Sequence, residues 1–239
     1  MFLFDLLRKI MEITEQYQKI REKIPEHVTI VLAAKTRTPE EVKEAIGAGA
    51  IDIGENYLQE AEQMVAMLGD TAKKVRWHMI GDLQKNKINR ALKVFDLVQT
   101  LSSFENAQAL NQRVAVSGKI MSVYVEINSG QEESKKGIDP DFEKVKDLVV
   151  SIAGLEHISI EGLMTMGPMT SNPEDSRPYF RKAKKIFNDI NKLNLPGVNL
   201  KTLSMGMSES YQVAIEEGSN MIRLGRVVFG DRVVNEYFR

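Results

Sequence analysis

The sequence predicts an α/β protein, a single-domain (β/α)8 TIM barrel with an extra helix at its N-terminus. Three observations predict it. Eight short apolar, β-branched runs begin near residues 28, 52, 75, 97, 121, 159, 200 and 221. Helical patterns fill the gaps between them, as in a parallel barrel. The glycine-rich turn that a doubly wound open sheet carries after its first strand is absent, and "AAKTRTP" stands in its place.

The first segment, "MFLFDLLRKIMEI", has some of the look of a signal peptide, but Asp5, Arg8 and Lys9 interrupt it and no small-residue cleavage site follows. Leu3, Leu7, Ile10, Ile13, Tyr17, Ile20 and Ile24 continue at helical spacing. Residues 1–25 are therefore expected to form an amphipathic helix packed on a barrel of residues 26–239.

The first strand, "VTIVLAAK", places Lys35 directly after five residues, Ile30 to Ala34, that carry no polar side chain. Side chains alternate along a strand, so Lys35 shares its side with Thr29, Val31 and Ala33, opposite Ile30, Leu32 and Ala34. The smaller set suits a crowded barrel interior, which aims Lys35 up the barrel axis. Thr38-Pro39-Glu40-Glu41 then supplies an N-cap, a proline at the first helical position and a capping-box glutamate.

The remaining strands read "DIGEN", "VRWHMIG", "LVQTLSS", "MSVYVEINS", "SIEGLMTMG", "LKTLSMGMS" and "MIRLGRVVFG". Asp139-Pro140 and Asn172-Pro173 mark further helix starts. Over residues 176–193, Phe180, Ala183, Phe187 and Ile190 form one apolar stripe that Ile186 and Leu193 widen. Glycines in "AIGAGA" and "IEEGSN" end the first and last helices between strands.

Bulk composition excludes several classes. The 32 basic and 33 acidic residues leave a net charge of −1, so no nucleic-acid or anionic membrane partner is implied. There is no cysteine, which removes disulfides, thiolate metal sites and thiol catalysis. The three histidines, His27, His78 and His157, form no close pair that would hold a metal. No apolar run approaches the roughly 18–20 residues of a membrane span, and the expected address is the cytoplasm.

In a barrel, function gathers where strands end at their C-termini. A desolvated lysine there has a lowered pKa and becomes a nucleophilic amine. The alternative is an ion pair of Lys35 with Glu55 or Glu126. Near the other end of the chain, Ser204, Gly206 and Ser208, together with Gly225, form two strand ends that open into glycine turns. "SESYQVAIEEG" starts a helix just after the first of them, and loops after strands seven and eight commonly bind phosphate. Arg223 lies between apolar neighbours, as an ion pair or as a ligand contact aimed inward. Amine, phosphate cradle and arginine together fit an aldehyde that carries a phosphate and a ring: pyridoxal 5′-phosphate.

The motifs "AAKT" (33–36), "GENYLQE" (54–60), "WHMIGDLQKNK" (77–87), "EINSGQEESKKG" (126–137), "GLMTMGP" (162–168), "RPYF" (177–180), "LSMGMS" (203–208) and "IEEGSNMIRLGRVVFGDR" (215–232) occur in this order. In them the chain resembles the pyridoxal phosphate homeostasis proteins, single-domain barrels similar to the N-terminal domain of alanine racemase. The resemblance implies that Lys35 forms the internal aldimine, that Asn56 lies near the ring, and that Arg223 faces the pyridine nitrogen. It also implies a phosphate pocket of Ser204, Gly206, Met207 and Ser208 with Gly225 and the residue after it, Arg226. Met164 and His78 fall on motifs near the pocket, His78 equally as a core histidine. The chain departs from the family pattern at Ala34 (usually serine), at Ser210 (an aspartate) and at Arg226 (a small hydroxyl residue).

The function expected from this likeness is to hold the cofactor as a lysine aldimine for intracellular vitamin B6 homeostasis, with little or no turnover. Recipients of the cofactor would be apo-enzymes that depend on it, and the protein is expected to be a monomer or weak dimer. Alanine racemase adds a β-domain, for which the seven residues after "FGDR" leave no room. The alternatives are a pyridoxal-phosphate-dependent amino-acid racemase or lyase, with Tyr57 or His78 as base, and a cofactor-free Schiff-base aldolase.

Overall fold

In the computed structural model, eight parallel strands close into a barrel in the order β1 to β8. They are β1 (Thr29–Ala33), β2 (Asp52–Glu55), β3 (Arg76–Met79), β4 (Leu97–Leu101), β5 (Met121–Ile127), β6 (Ile158–Thr165), β7 (Val198–Ser204) and β8 (Met221–Leu224). The structure describes residues 2–130, 136–168 and 170–231, with side chains from residue 11 onward. Residues 131–135 of the fourth motif, Arg232 of the last, and the side chains of Leu3, Leu7 and Ile10 lie outside the described part.

The helices are α1 (Phe2–Lys23), α2 (Pro39–Gly47), α3 (Leu58–Leu68), α4 (Ile88–Ala91), α5 (Phe104–Ala115), α6 (Phe142–Ala153), α7 (Arg177–Lys192), α8 (Tyr211–Glu216) and α9 (Arg226–Phe229). Among the described residues, none is long and apolar enough to cross a membrane. Helix α1 packs on α2 and α9 through Ile13, Tyr17, Ile20 and Ile24, all buried. Burial of such side chains stabilises by about 1.5–3 kcal/mol each, so the helix is an integral cover and not a loose appendage.

Local signals act as the sequence predicts at α2. The Thr38 hydroxyl accepts from the Glu41 N–H, and the Glu41 carboxylate accepts from the Thr38 N–H. Elsewhere they shift. Helix α6 is capped by Asp141, two residues beyond Asp139, because Asp141 can accept from the Lys144 N–H. Asn172-Pro173 opens a 3-10 turn that leads into α7. Leu193, at the C-terminal end of α7, is 43% exposed and does not widen its stripe.

Two apolar layers result. Ile30, Leu32 and Ala34 join the larger core between strands and helices. Val31, with Leu97, Tyr124, Met164 and Met221, forms the smaller cluster inside the barrel. The parity expected for β1 therefore holds, and Lys35 belongs to the inward series.

The barrel is fastened at its seam. Buried Arg37 donates from Nη1 to the carbonyls of Phe229 and Asp231 at 3.2 and 3.1 Å, and from Nη2 to that of Gly230 at 2.6 Å. Its guanidinium also lies 5.3 Å from the centre of the Phe229 ring. The turn after β1 is thus tied to the segment after β8.

Candidate cofactor site

A cavity of about 490 Å³ opens at the C-terminal ends of the strands. Lys35, Asn56, Met207, Ser208, Arg223, Gly225 and Arg226 line it together. Strand pairing explains the convergence. Val31 is the register partner of Arg223, so Lys35 comes four residues beyond that pair, just past β1, and Gly225 follows directly on β8.

Asn56 is brought in by a glycine. A Cβ on Gly81 would lie 2.1 Å from the Asn56 carbonyl oxygen and 2.7 Å from its Cα. The turn after β3 can therefore press against the backbone of the turn after β2 only without a side chain. Thr100 holds this turn from the other side, its hydroxyl donating to the Gly81 carbonyl at 2.6 Å.

The cradle is built from the last two strand ends. The Ser208 hydroxyl oxygen accepts from the N–H groups of Gly225 and Val227 at 3.3 and 3.4 Å. Those N–H groups converge on one oxygen, the arrangement an anion oxygen would use. Arg226 reaches neither this point nor open solvent alone: its guanidinium pairs with Glu209 at 2.5 Å on the cavity rim, both side chains being about half exposed.

Arg223 is the buried cation. Nη1 donates to the Ser204 carbonyl at 3.0 Å and to the Ser204 hydroxyl at 2.7 Å, and Nη2 donates to the Thr165 carbonyl at 2.9 Å. Two N–H bonds of its fork take no part in these contacts. Burial lowers its pKa to about 10, against the pull of Glu126, so it stays charged at neutral pH. Glu126 is pushed up to about 7 by burial, which outweighs the opposing effect of Arg223.

Glu55 is fully buried behind the Lys35 turn. Burial, then the nearby Glu60, push its pKa well above the carboxylate range, while the Asn56 N–H and Lys35 pull it down.

Four sequence-predicted residues do not line the cavity. Ser204 lies beneath it, fully buried, and clamps Arg223 instead. Gly206 shapes the loop: its φ is +95°, and a Cβ there would meet that of Ala214 at 2.6 Å. Met164 belongs to the interior cluster, and Met166, one inward step further along, reaches the cavity. His78 is a buried core histidine one inward step below Ile80, which does reach it. Ala34 faces the outer core, so a hydroxyl at that position would not point into the cavity.

Sequence reasoning missed Thr170, Ser171 and Pro173, which the loop after β6 brings to the rim, and Glu209. It also missed Gln99, a polar residue at an inward position of "LVQTLSS", where the break in an apolar run was the readable sign.

The chain matches the model of the alanine racemase N-terminal domain over residues 10–233. It is 36% identical over 200 residues to the pyridoxal phosphate homeostasis protein of Aquifex aeolicus, covering 84% of this chain and 85% of that one. It is 34% identical over 205 residues to the protein of the same name in Haemophilus influenzae, covering 86% and 85%. Among solved structures, PipY of Synechococcus elongatus PCC7942 with PLP bound superposes with a TM-score of 0.83 at 28% identity, over 91% of this chain and all of that one. An alanine racemase of Clostridium difficile shares the fold, with a TM-score of 0.74 at 18% identity over 91% of this chain and 56% of that one.

Proposed function

We propose, for a chain that belongs to the alanine racemase N-terminal domain family and within it to the pyridoxal phosphate homeostasis proteins, that its cavity holds pyridoxal 5′-phosphate in the service of intracellular vitamin B6 homeostasis, with little or no turnover. One observation carries the reading. A single cavity is lined by an amine (Lys35), a buried guanidinium (Arg223) and the Gly225–Arg226 turn, beside which N–H donors converge. These are the three kinds of group that an aldehyde, a pyridine nitrogen and a phosphate require. When bound, the cofactor supplies an aldehyde that condenses with amines and a conjugated ring that can draw electrons.

Lys35 is the amine that condenses with that aldehyde. Asn56 flanks the ring. Met207, Ser208, Gly225 and Arg226 hold the phosphate end, with Ser204 and Gly206 shaping that end from beneath. Met164 and His78 support the site from the barrel interior. Residues 1–25 serve as cover and residues 26–239 as the binding barrel, in a cytoplasmic monomer or weak dimer that passes the cofactor to apo-enzymes.

Low turnover follows from the cation. Charged Arg223 can only donate, so it would leave the nitrogen of a bound ring without a proton, and such a ring would be a weak electron sink. The side chains available as bases are poorly placed: Tyr57 is 58% exposed outside the cavity lining, and His78 is buried below it.

The test is the absorption spectrum of purified protein with pyridoxal phosphate, beside Lys35→Ala. The wild type should show a near-visible band that borohydride reduction makes permanent as a covalent adduct, and the variant should not. Incubation with L- and D-amino acids should give no conversion. Turnover in the ordinary enzyme range, about 1–1000 per second, would overturn the homeostasis reading in favour of a racemase or lyase.

A further inference from the structure

Beneath the cavity a line of side chains crosses the barrel interior. The Ser204 hydroxyl lies 2.7 Å from the Gln99 Oε1, and the Gln99 Nε2 lies 2.8 Å from the His78 Nδ1. The His78 Nε2 lies 2.8 Å from the Asp52 Oδ1, which also accepts from Arg76 at the barrel floor at 2.8 Å. His78, Gln99, Ser204 and Asp52 are all buried.

The direction of every hydrogen bond is fixed by its neighbours. An arginine only donates, so the Ser204 oxygen accepts from Arg223 and its own hydrogen goes to Gln99. Gln99 therefore turns its carbonyl to Ser204 and its NH2 group to His78. That assignment also sets an N–H against the Met221 sulfur, 3.4 Å away, where a carbonyl would be repelled. His78 must accept at Nδ1 and donate from Nε2 to Asp52, which fixes one neutral tautomer. Arg223 itself touches only neutral acceptors in its described hydrogen bonds. Glu126, across the interior, is the acidic group whose charge pulls on it.

We infer that Gln99 and Ser204 are positioning residues for the cofactor site, transmitting the orientation set by Asp52 and His78 to Arg223 so that its unused N–H bonds stay aimed at the ring nitrogen. The inference rests on the pyridoxal phosphate reading and adds residues that never touch the cofactor. Such a line also polarises its members in one sense, which strengthens the last acceptor offered to Arg223.

The test compares pyridoxal phosphate with its 1-deaza analogue, in which C–H replaces the ring nitrogen, by spectroscopic titration of the intact protein. The wild type should favour the natural cofactor by about tenfold, the worth of one well-aimed charged hydrogen bond. In Gln99→Met and in Ser204→Ala that preference should fall to near unity. A purely structural role would weaken both ligands equally and keep the preference, and that result overturns the inference. Equal binding of both ligands by the wild type overturns it as well, since Arg223 would then not read the nitrogen. Failure of the wild type to bind either ligand sinks the cofactor reading itself. Either disrupting variant decides alone should the other fail to fold.

Discussion

One serine occupies both N–H bonds of a single arginine nitrogen: Nη1 of Arg223 reaches the Ser204 hydroxyl at 2.7 Å and the Ser204 carbonyl at 3.0 Å. The tip of β7 therefore clamps the cation of β8 before any ligand arrives, and preorganisation of this kind lowers the cost of binding. Replacing Arg223 with methionine strands three buried acceptors, at about 1–3 kcal/mol for each left unsatisfied. Arg223→Met should lower stability by about 2 kcal/mol or more in urea unfolding and weaken pyridoxal phosphate binding at least about tenfold. Binding unchanged in a folded variant would remove Arg223 from the site.

Glu126 makes stability depend on pH. Its folded pKa is about 7, above the ordinary glutamate value of 4.5. Between those values the folded protein keeps a proton that the unfolded chain has lost, so stability falls as pH rises through this window. The loss levels off above pH 7, and at 1.36 kcal/mol per pKa unit it amounts to about 3 kcal/mol at most. Glu126→Gln should remove its share of the slope and leave that of Glu55, so its urea midpoint should gain on the wild type between pH 5 and pH 8. Parallel midpoints across that range would contradict the assignment.

The Arg226–Glu209 pair is about half exposed on both sides, so it adds about 0–1 kcal/mol to the fold. Glu209→Gln should leave stability unchanged and free the guanidinium for an anion, tightening pyridoxal phosphate binding about two- to fivefold at low salt. The gain should vanish at 1 M salt, where the screening length is about 3 Å. Were the cradle to rely on backbone N–H groups alone, Glu209→Gln and Arg226→Ala would both bind like the wild type.

Gly81→Ala forces a methyl group to 2.1 Å from a backbone oxygen that cannot step aside alone. Overpacking of this kind costs about 1–3 kcal/mol, and the relief must come from the Asn56 backbone. A lowered thermal midpoint together with weaker cofactor binding is the expected pair of results. Loss of stability with unaltered binding would show that Asn56 does not flank the ring.

How much of this was readable follows from the range of each signal. The Thr38–Glu41 box is local, and four adjacent residues carried it in full. The parity of β1 was readable because a strand has a fixed period, and it placed Lys35 correctly. Ser204 was not readable in the same way: on the sequence it is one more hydroxyl beside a glycine turn. Only the closed ring, which sets Gln99 of β4 and Arg223 of β8 on either side of it, shows that it serves other side chains. The cap of α6 slipped from Asp139 to Asp141 because both can accept, and the packing of the whole helix chose between them. The rim loop after β6 carries no periodicity, so Thr170 and Ser171 gave no warning of their position.

Arg37 has a consequence for how this site could come apart. Its three carbonyl contacts join residues 192–194 positions distant in the chain, so the turn that bears Lys35 and the segment after β8 ride on one rivet. Local breathing at the seam would move the two walls of the cavity in concert, so loosening this one side chain would be felt on both of its sides at once.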